Sequence, residues 1–334
     1  MSKIKPAKGS PYARILGVGG YRPVRVVPNE VILETIDSSD EWIRSRSGIA
    51  TRHWAAPQET VAAMSVEASG KALADAGVSP EQIGAVIVST VSHFKQTPAV
   101  ATEIAHRIGA VKPAAFDISA GCAGFGYGLT LAKGLVVEGS AQYVLVIGVE
   151  RLSDLTDLED RATAFLFGDG AGAVVVGPSD EPAIGPTVWG SEGDKSETIK
   201  QTVPWNEYRS TDSGEKFPAI TQEGQAVFRW AVFEMAKVAQ QALDAAGITA
   251  DDLDVFIPHQ ANMRIIDSMV KTLKLPEHVT VARDVETTGN TSAASIPLAM
   301  ERLLATGAAK SGDTALVIGF GAGLVYAATV VTLP

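Results

Sequence analysis

Cysteine occurs once in the 334 residues, as Cys122. A single thiol excludes an internal disulfide and any two-thiol chemistry, so the chain is expected to work reduced, inside the cell. Membrane-spanning character is missing too. No run approaches the roughly 20 apolar residues that a bilayer span needs, and the opening MSKIKPAKGSPYA has lysines with no apolar core behind them. Basic residues are outnumbered, 28 Lys and Arg against 38 Asp and Glu, for a formal charge of −10. That balance excludes general nucleic-acid binding, which rests on neutralising phosphates with excess cations. The expectation is a soluble cytoplasmic protein with no membrane or nucleic-acid partner, whose acidic partners must meet a local basic patch.

What the chain has is apolar residues, 46% of the total, in strand-like runs. AVIVSTV (85–91), YVLVIGV (143–149), AVVVG (173–177), LDVFIP (253–258) and TALVIG (314–319) alternate with helical stretches, several of which stop at a glycine. This is α/β patterning, with sheets covered by helices on both faces. An internal echo sharpens it: KALADAGVSPEQIGAVIVSTVSH (71–93) returns as QALDAAGITADDLDVFIPHQAN (241–262), with helix, glycine stop, acidic turn and strand in one register. Two related halves are expected, 1–180 and 181–334, joined near GPSDEPAIGP (177–186) where Pro and Gly cluster.

Cys122 sits in DISAGCAGFGYG (117–128), between a predicted strand, AAFDIS, and a predicted helix from about Ala123. A thiol at a helix N-terminus meets unpaired N–H groups and the positive end of the macrodipole, which favour the thiolate and lower its pKa. The other reading is a small apolar residue packed at a tight turn. Five histidines are available as partners: His53, His93, His106, His259 and His278. His259 stands out because it closes the apolar strand DVFIP and is followed by Gln260 and Asn262, and ligand chemistry collects at the carboxyl ends of strands in α/β sheets. Asn290, in TTGNTSAAS, opens a helix and taken alone reads as an N-cap. GFGAG (319–323) is a glycine turn able to aim backbone N–H groups at an oxyanion.

GCAGFGYG, HQANMRI, GNTSAAS and GFGAG, in this order, together with SSDEWIRSRSGIATRH and ATAFLFGDGAGAVVV, closely resemble the β-ketoacyl-acyl carrier protein synthase III family over essentially the whole chain. The resemblance implies a thiolase-like fold, two duplicated halves stacked as five αβαβα layers and usually dimeric. It implies decarboxylative condensation of an acyl-CoA primer with malonyl-acyl carrier protein, the opening step of type II fatty acid synthesis. Cys122 is then the acylated nucleophile, with His259 and Asn290 as its partners. Backbone N–H groups of Cys122 and Ala322 form the oxyanion hole. Trp42, Arg46 and Arg161 hold CoA, Asn262 contacts the pantetheine, Phe167 and Phe320 lie near the thiol, and Arg264 docks the acidic carrier. No metal or other cofactor is implied, since the CoA thioester is itself a substrate.

One position departs from the family pattern. Thr97 stands before Pro98 where many members carry a bulky aromatic, contributed across the dimer to the end of the acyl pocket. A smaller residue there is expected to admit primers larger than acetyl, such as branched short-chain acyl groups. Degradative thiolases need a second active-site cysteine, which this chain lacks. A non-catalytic partner subunit of the same fold would lack the nucleophile. A starter condensing enzyme or acyltransferase of a polyketide pathway is the nearest alternative.

Overall fold

The computed structural model describes residues 4, 5, 7–210 and 216–334. Ten strands form two five-stranded sheets. The first contains β1 (Tyr12–Tyr21), β2 (Ile83–Ser89), β3 (Ala114–Ile118), β4 (Tyr143–Arg151) and β5 (Asp169–Ser179) in the order β1-β5-β4-β2-β3. The second contains β6 (Val188–Ser191), β7 (Val255–Pro258), β8 (Thr280–Val281), β9 (Thr314–Gly321) and β10 (Val325–Thr332) in the order β6-β10-β9-β7-β8. Counted within each sheet, the two orders are the same. The senses match as well: two antiparallel pairings followed by two parallel ones.

The helices that position the site are α1 (Asp40–Ser47), α2 (Val61–Ala76), α3 (Val100–Arg107), α4 (Gly124–Glu138), α5 (Gly224–Phe233), α6 (Met235–Ala246), α7 (Met263–Leu273) and α8 (Ser295–Ala305). The period-2 alternation of the strands sorts their side chains to two faces. Ile87, Val144 and Val146 face the α4 side chains Phe125 and Leu129. Their neighbours Val86, Val88 and Leu145 face the opposite way, against Met64 and Ala68 of α2 and Ile104 of α3. In the second sheet Ile257 and Val317 join the α4 and α8 cluster, while Phe256 and Leu316 pack on α6 and α7. The result is five layers, with α4 and α8 enclosed between the sheets. Truncating Leu129, which is fully buried in that central layer, would cost about 2–5 kcal/mol.

The internal echo of the sequence has a local structural counterpart. Helices α2 and α6 each end at a glycine in the left-handed region, Gly77 and Gly247. Each is followed by the same reciprocal turn: the Ser79 N–H donates to Gln82 Oε1 at 3.0 Å, and the Thr249 N–H donates to Asp252 Oδ2 at 2.8 Å. Each turn leads into the parallel strand β2 or β7. Where sequence periodicity predicts one helix over 224–247, the chain breaks at Glu234 into α5 and α6.

Candidate active site

Both sheets send the carboxyl ends of parallel strands to one place, and the polar residues of interest lie there. Cys122 follows β3 in a single 3-10 turn, Gly121–Ala123, that runs into α4. His259 follows β7 directly, and its N–H extends the ladder to Ile318 O at 2.7 Å. The end of β9 carries Phe320 and Gly321, and Ala322 opens the turn that follows. Asn290 precedes α8. All of these, with Phe167 and Ser292, line one cavity of about 200 Å³. None of the other four histidines lines it.

Glycine is required at two positions beside the thiol. Gly121 has φ +47, a left-handed backbone that suits the residue turning the chain into Cys122. A Cβ on Gly321 would lie 2.8 Å from Cys122 Sγ and 3.1 Å from Cys122 N, so the end of β9 touches the nucleophile only because that side chain is absent.

Burial decides the charge states. It pushes the Cys122 thiol up to about 12; the polar Ser292 side chain acts against this and the Glu150 carboxylate adds to it. The helix-terminal position predicts the opposite direction, and desolvation outweighs it. Desolvation likewise holds His259, 2% exposed, down to about 3. The resting pair is therefore a neutral thiol and a neutral imidazole. His259 Nδ1 lies 2.7 Å from Ser295 Oγ, which also accepts the Gln260 N–H at 3.3 Å. The Ser295 hydroxyl proton has no other acceptor among the hydrogen bonds of the described residues, so it goes to Nδ1, which leaves Nε2–H as the ring donor.

Asn290 is fixed from three sides. Its N–H donates to Leu166 O at 2.9 Å, its carbonyl accepts the Gly168 N–H at 3.0 Å, and its side-chain Oδ1 accepts the Ser292 N–H at 2.9 Å. Asn290 is not the N-cap, since Thr291 and Ala294 hold those places; its Oδ1 bonds two residues on, to the Ser292 N–H, and leaves the amide NH₂ as the free end. The same bridge seats Phe167 in the cavity wall. Phe320 stands edge-on to His259, with ring centroids 5.4 Å apart. Trp230 closes another side, its Nε1–H held by Glu192 Oε1 at 2.8 Å.

A wider vestibule of about 580 Å³ adjoins this cavity and shares Asn290, Gln222 and Ala261 with it. Its wall carries Trp42, Arg46, Arg229 and Arg264, a basic mouth on an acidic chain. The Arg161 and Arg46 guanidinium carbons lie 5.1 and 5.8 Å from the Trp42 ring centroid, and Arg264 lies 4.9 Å from that of Phe228. Asn262 lines the vestibule and each end of its amide makes one bond: Oδ1 caps α7 through the Arg264 N–H at 2.9 Å and Nδ2 donates to Arg46 O at 3.0 Å, which leaves its second N–H available. It fastens α7 to α1. Thr97 is exposed and lines neither cavity of its own chain.

Sequence reasoning passed over Ser292, Ser295, Trp230 and Glu150. The two serines lie within the GNTSAAS stretch already singled out for Asn290. Glu150 had a signal of its own, a carboxylate ending the otherwise apolar run YVLVIGVE. Among the described residues no cluster of three or more metal-ligating side chains occurs, and no helix is long and apolar enough to cross a membrane.

With this geometry in hand, comparison with known proteins is specific. Residues 116–193 match the model of 3-oxoacyl-[acyl-carrier-protein (ACP)] synthase III, and residues 243–333 match the model of its C-terminal part. The chain is 86% identical, over the whole of both chains, to beta-ketoacyl-[acyl-carrier-protein] synthase III 1 of Streptomyces coelicolor. It superposes on the priming β-ketosynthase of the R1128 polyketide biosynthetic pathway with a TM-score of 0.97, at 48% identity, covering 100% of this chain and 99% of the other. For 3-oxoacyl-[acyl-carrier-protein] synthase III of Aquifex aeolicus the TM-score is 0.87, at 38% identity, covering 96% and 99%.

Proposed function

The chain belongs to the 3-oxoacyl-[acyl-carrier-protein] synthase III family, thiolase-like condensing enzymes, and from that premise we propose how its own residues carry out the condensation that starts fatty acid synthesis. Cys122 takes the acyl group of an acyl-CoA as a thioester. The vestibule receives CoA, with Trp42 and Arg161 beside the adenine and Arg46 beside the phosphates. Asn262 contacts the pantetheine arm through its remaining amide N–H, held in place by the bonds that its amide makes to Arg46 O and the Arg264 N–H.

Oxyanion stabilisation during acyl transfer comes from the backbone N–H groups of Cys122 and Ala322. What supports this is the contact of the Gly321–Ala322 turn with the nucleophile. CoA departs, and malonyl-acyl carrier protein enters with its acidic carrier against Arg264 and its thioarm in the vacated channel. Loss of CO₂ leaves an enolate whose oxygen gathers negative charge. His259 Nε2–H and the Asn290 NH₂ donate to it. Neither donor titrates near neutral pH, since burial keeps the imidazole uncharged. The carbanion attacks the acyl-Cys122 carbonyl, the Cys122 thiolate leaves, and a β-ketoacyl thioester remains on the carrier. No step calls for a metal or other cofactor.

The observation that carries this reading is the convergence of Cys122, His259 and Asn290 on one enclosed cavity from both sheets. Its test separates the two half-reactions. Cys122→Ser should abolish acylation by acyl-CoA, followed as a mass shift on the Cys122 peptide. His259→Ala and Asn290→Ala should still acylate but lose malonyl-dependent CO₂ release. Equal loss of both steps in the latter two would reassign their roles.

We further propose two structural halves, 1–180 and 181–334, supported by their common strand order, and a cytoplasmic homodimer. The dimer reading is supported by β3, an edge strand in its sheet, and by the exposed apolar Val91 and Phe94 on the loop that bears Thr97. Thr97 would then reach the partner's acyl cavity and leave room for branched short-chain primers. Strict preference for acetyl-CoA over isobutyryl-CoA would refute this. The similarity to a polyketide priming ketosynthase favours a second reading, in which the carrier belongs to a polyketide pathway. Turnover with purified carriers of both kinds decides between them.

A further inference from the structure

One aromatic side chain in the cavity wall has no part in the condensation as described. Trp230 lies on α5 three residues after Val227, and the helical period puts the two on one face of that helix. Both line the cavity that holds Cys122, but Val227 also lines the vestibule and Trp230 does not. The helix face therefore runs from the shared mouth inward, with Trp230 at the inner end. Its surroundings there are apolar: Leu152, Leu155, Ile199 and Ile220 line the same space. The indole meets the Phe320 ring edge-on, centroids 6.2 Å apart, and Phe320 in turn stands against His259.

The indole is not free to turn aside. It is 6% exposed, and its Nε1–H donates to Glu192 Oε1 at 2.8 Å. Glu192 is itself fixed, since Lys195 pairs with its carboxylate and its backbone N–H donates to Leu324 O at 2.8 Å. Swinging the ring out would leave a buried donor unpaired, which makes this wall rigid toward an entering acyl group. Trp230 belongs to the same core cluster as Met235, Ala239 and Leu324. Space vacated by a smaller side chain would thus be lined by apolar atoms, and cavities of that kind stay dry and accept apolar ligands.

We propose that Trp230 sets the upper length of the primer: an acyl group on Cys122 extends into the cavity until it meets the indole, so short acyl groups are accepted and longer straight chains are refused. This rests on the reading of Cys122 as the acyl-carrying nucleophile and names the substrate class of that same site. The discrimination is steric, and each methylene that an apolar pocket cannot house reduces the specificity constant by roughly 10-fold or more. Thr97 lines neither cavity of its own chain, whereas Trp230 acts on the acyl group within a single chain.

The test gives wild type, Trp230→Leu and Trp230→Phe an equimolar mixture of acetyl-, butyryl-, hexanoyl- and octanoyl-CoA, and weighs the adducts on the Cys122 peptide. The ratio of adducts reports selectivity and does not depend on the fraction of protein that is folded. Wild type should carry acetyl and butyryl groups with octanoyl only in trace. Trp230→Leu should raise the ratio of octanoyl to acetyl by at least roughly 10-fold. Trp230→Phe keeps an aromatic ring, and should raise the ratio less, with hexanoyl ahead of octanoyl; it keeps the test open if Trp230→Leu fails to fold. A residue that only packs the core predicts every adduct slowed alike. Unchanged ratios in both variants, or ready acylation of wild type by octanoyl-CoA, would overturn the assignment. Calorimetric affinities of the same thioesters for Cys122→Ala protein, with and without Trp230→Leu, need no chemistry. If binding shows a length limit that Trp230→Leu removes, yet no primer forms an adduct on Cys122, the assignment stands and the proposed function falls.

Discussion

Replacing Gly321 by alanine should cost activity far out of proportion to its size. The added methyl would lie 2.8 Å from Cys122 Sγ, 2.9 Å from Cys122 Cβ and 3.1 Å from Cys122 N. Carbon contacts settle at about 3.5–4.0 Å, so the end of β9 and the nucleophile must part by something on the order of 1 Å. The neighbours that must yield are a buried backbone and a short side chain fixed to it, so the strain has no easy outlet. Overpacking of this kind costs about 1–3 kcal/mol of stability. The kinetic effect should be the larger. A displacement of about 1 Å between reacting groups, or the loss of one oxyanion donor, each reduces the rate by roughly 100-fold, equivalent to about 2.7 kcal/mol in the barrier. Burst acylation from acyl-CoA, read by mass spectrometry alongside a thermal melt, measures both. Gly70→Ala is the control: it lies in the interior of α2 with open space around it, and should gain about 0.5–1 kcal/mol from helix propensity without altering the burst. A Gly321→Ala enzyme that acylates at the wild-type rate would refute the proposed contact between this strand end and the reaction.

Three other outcomes follow from the site. Ser295→Ala removes the group that fixes the His259 tautomer and should lower malonyl-dependent CO₂ release by at least about tenfold with acylation spared, measured as separate half-reactions. Glu150 has its folded pKa raised from 4.5 to about 7, so its stabilising effect is complete below pH 4.5 and is lost as pH rises through 7; relative to wild type, Glu150→Gln should gain stability across that window by about 3 kcal/mol in denaturant titrations at pH 4.5 and 8. Arg46→Ala and Arg161→Ala should raise KM for acyl-CoA with kcat nearly unchanged, and the penalty should shrink as salt is added; an equal fall in kcat would place these arginines nearer the chemistry.

The layers were legible because strand alternation and glycine stops are local. Val86, Ile87 and Val88 announce two buried faces by themselves, and the turns at Ser79–Gln82 and Thr249–Asp252 carry the internal echo in short-range hydrogen bonds. Cys122 and His259 were visible as polar punctuation at strand ends. The thiol's protonation state was not, because a helix terminus can be read from order along the chain whereas desolvation comes from side chains brought in by both sheets. Asn262 shows the same limit. Its place in HQANMRI marks it as a ligand contact, but only the packing of α7 on α1 reveals that the same amide also fastens the two helices through Arg46 O and the Arg264 N–H.

The most direct test of the account is one sequential experiment on the wild-type protein. Acyl-CoA is added alone, the Cys122 peptide is weighed, excess primer is removed, and malonyl-acyl carrier protein is then supplied while CO₂ is counted. The account predicts one acyl group on Cys122, followed by CO₂ and a β-ketoacyl carrier in amounts matching the adduct consumed. An unmodified Cys122, or an adduct that disappears as free acid without CO₂, would contradict it.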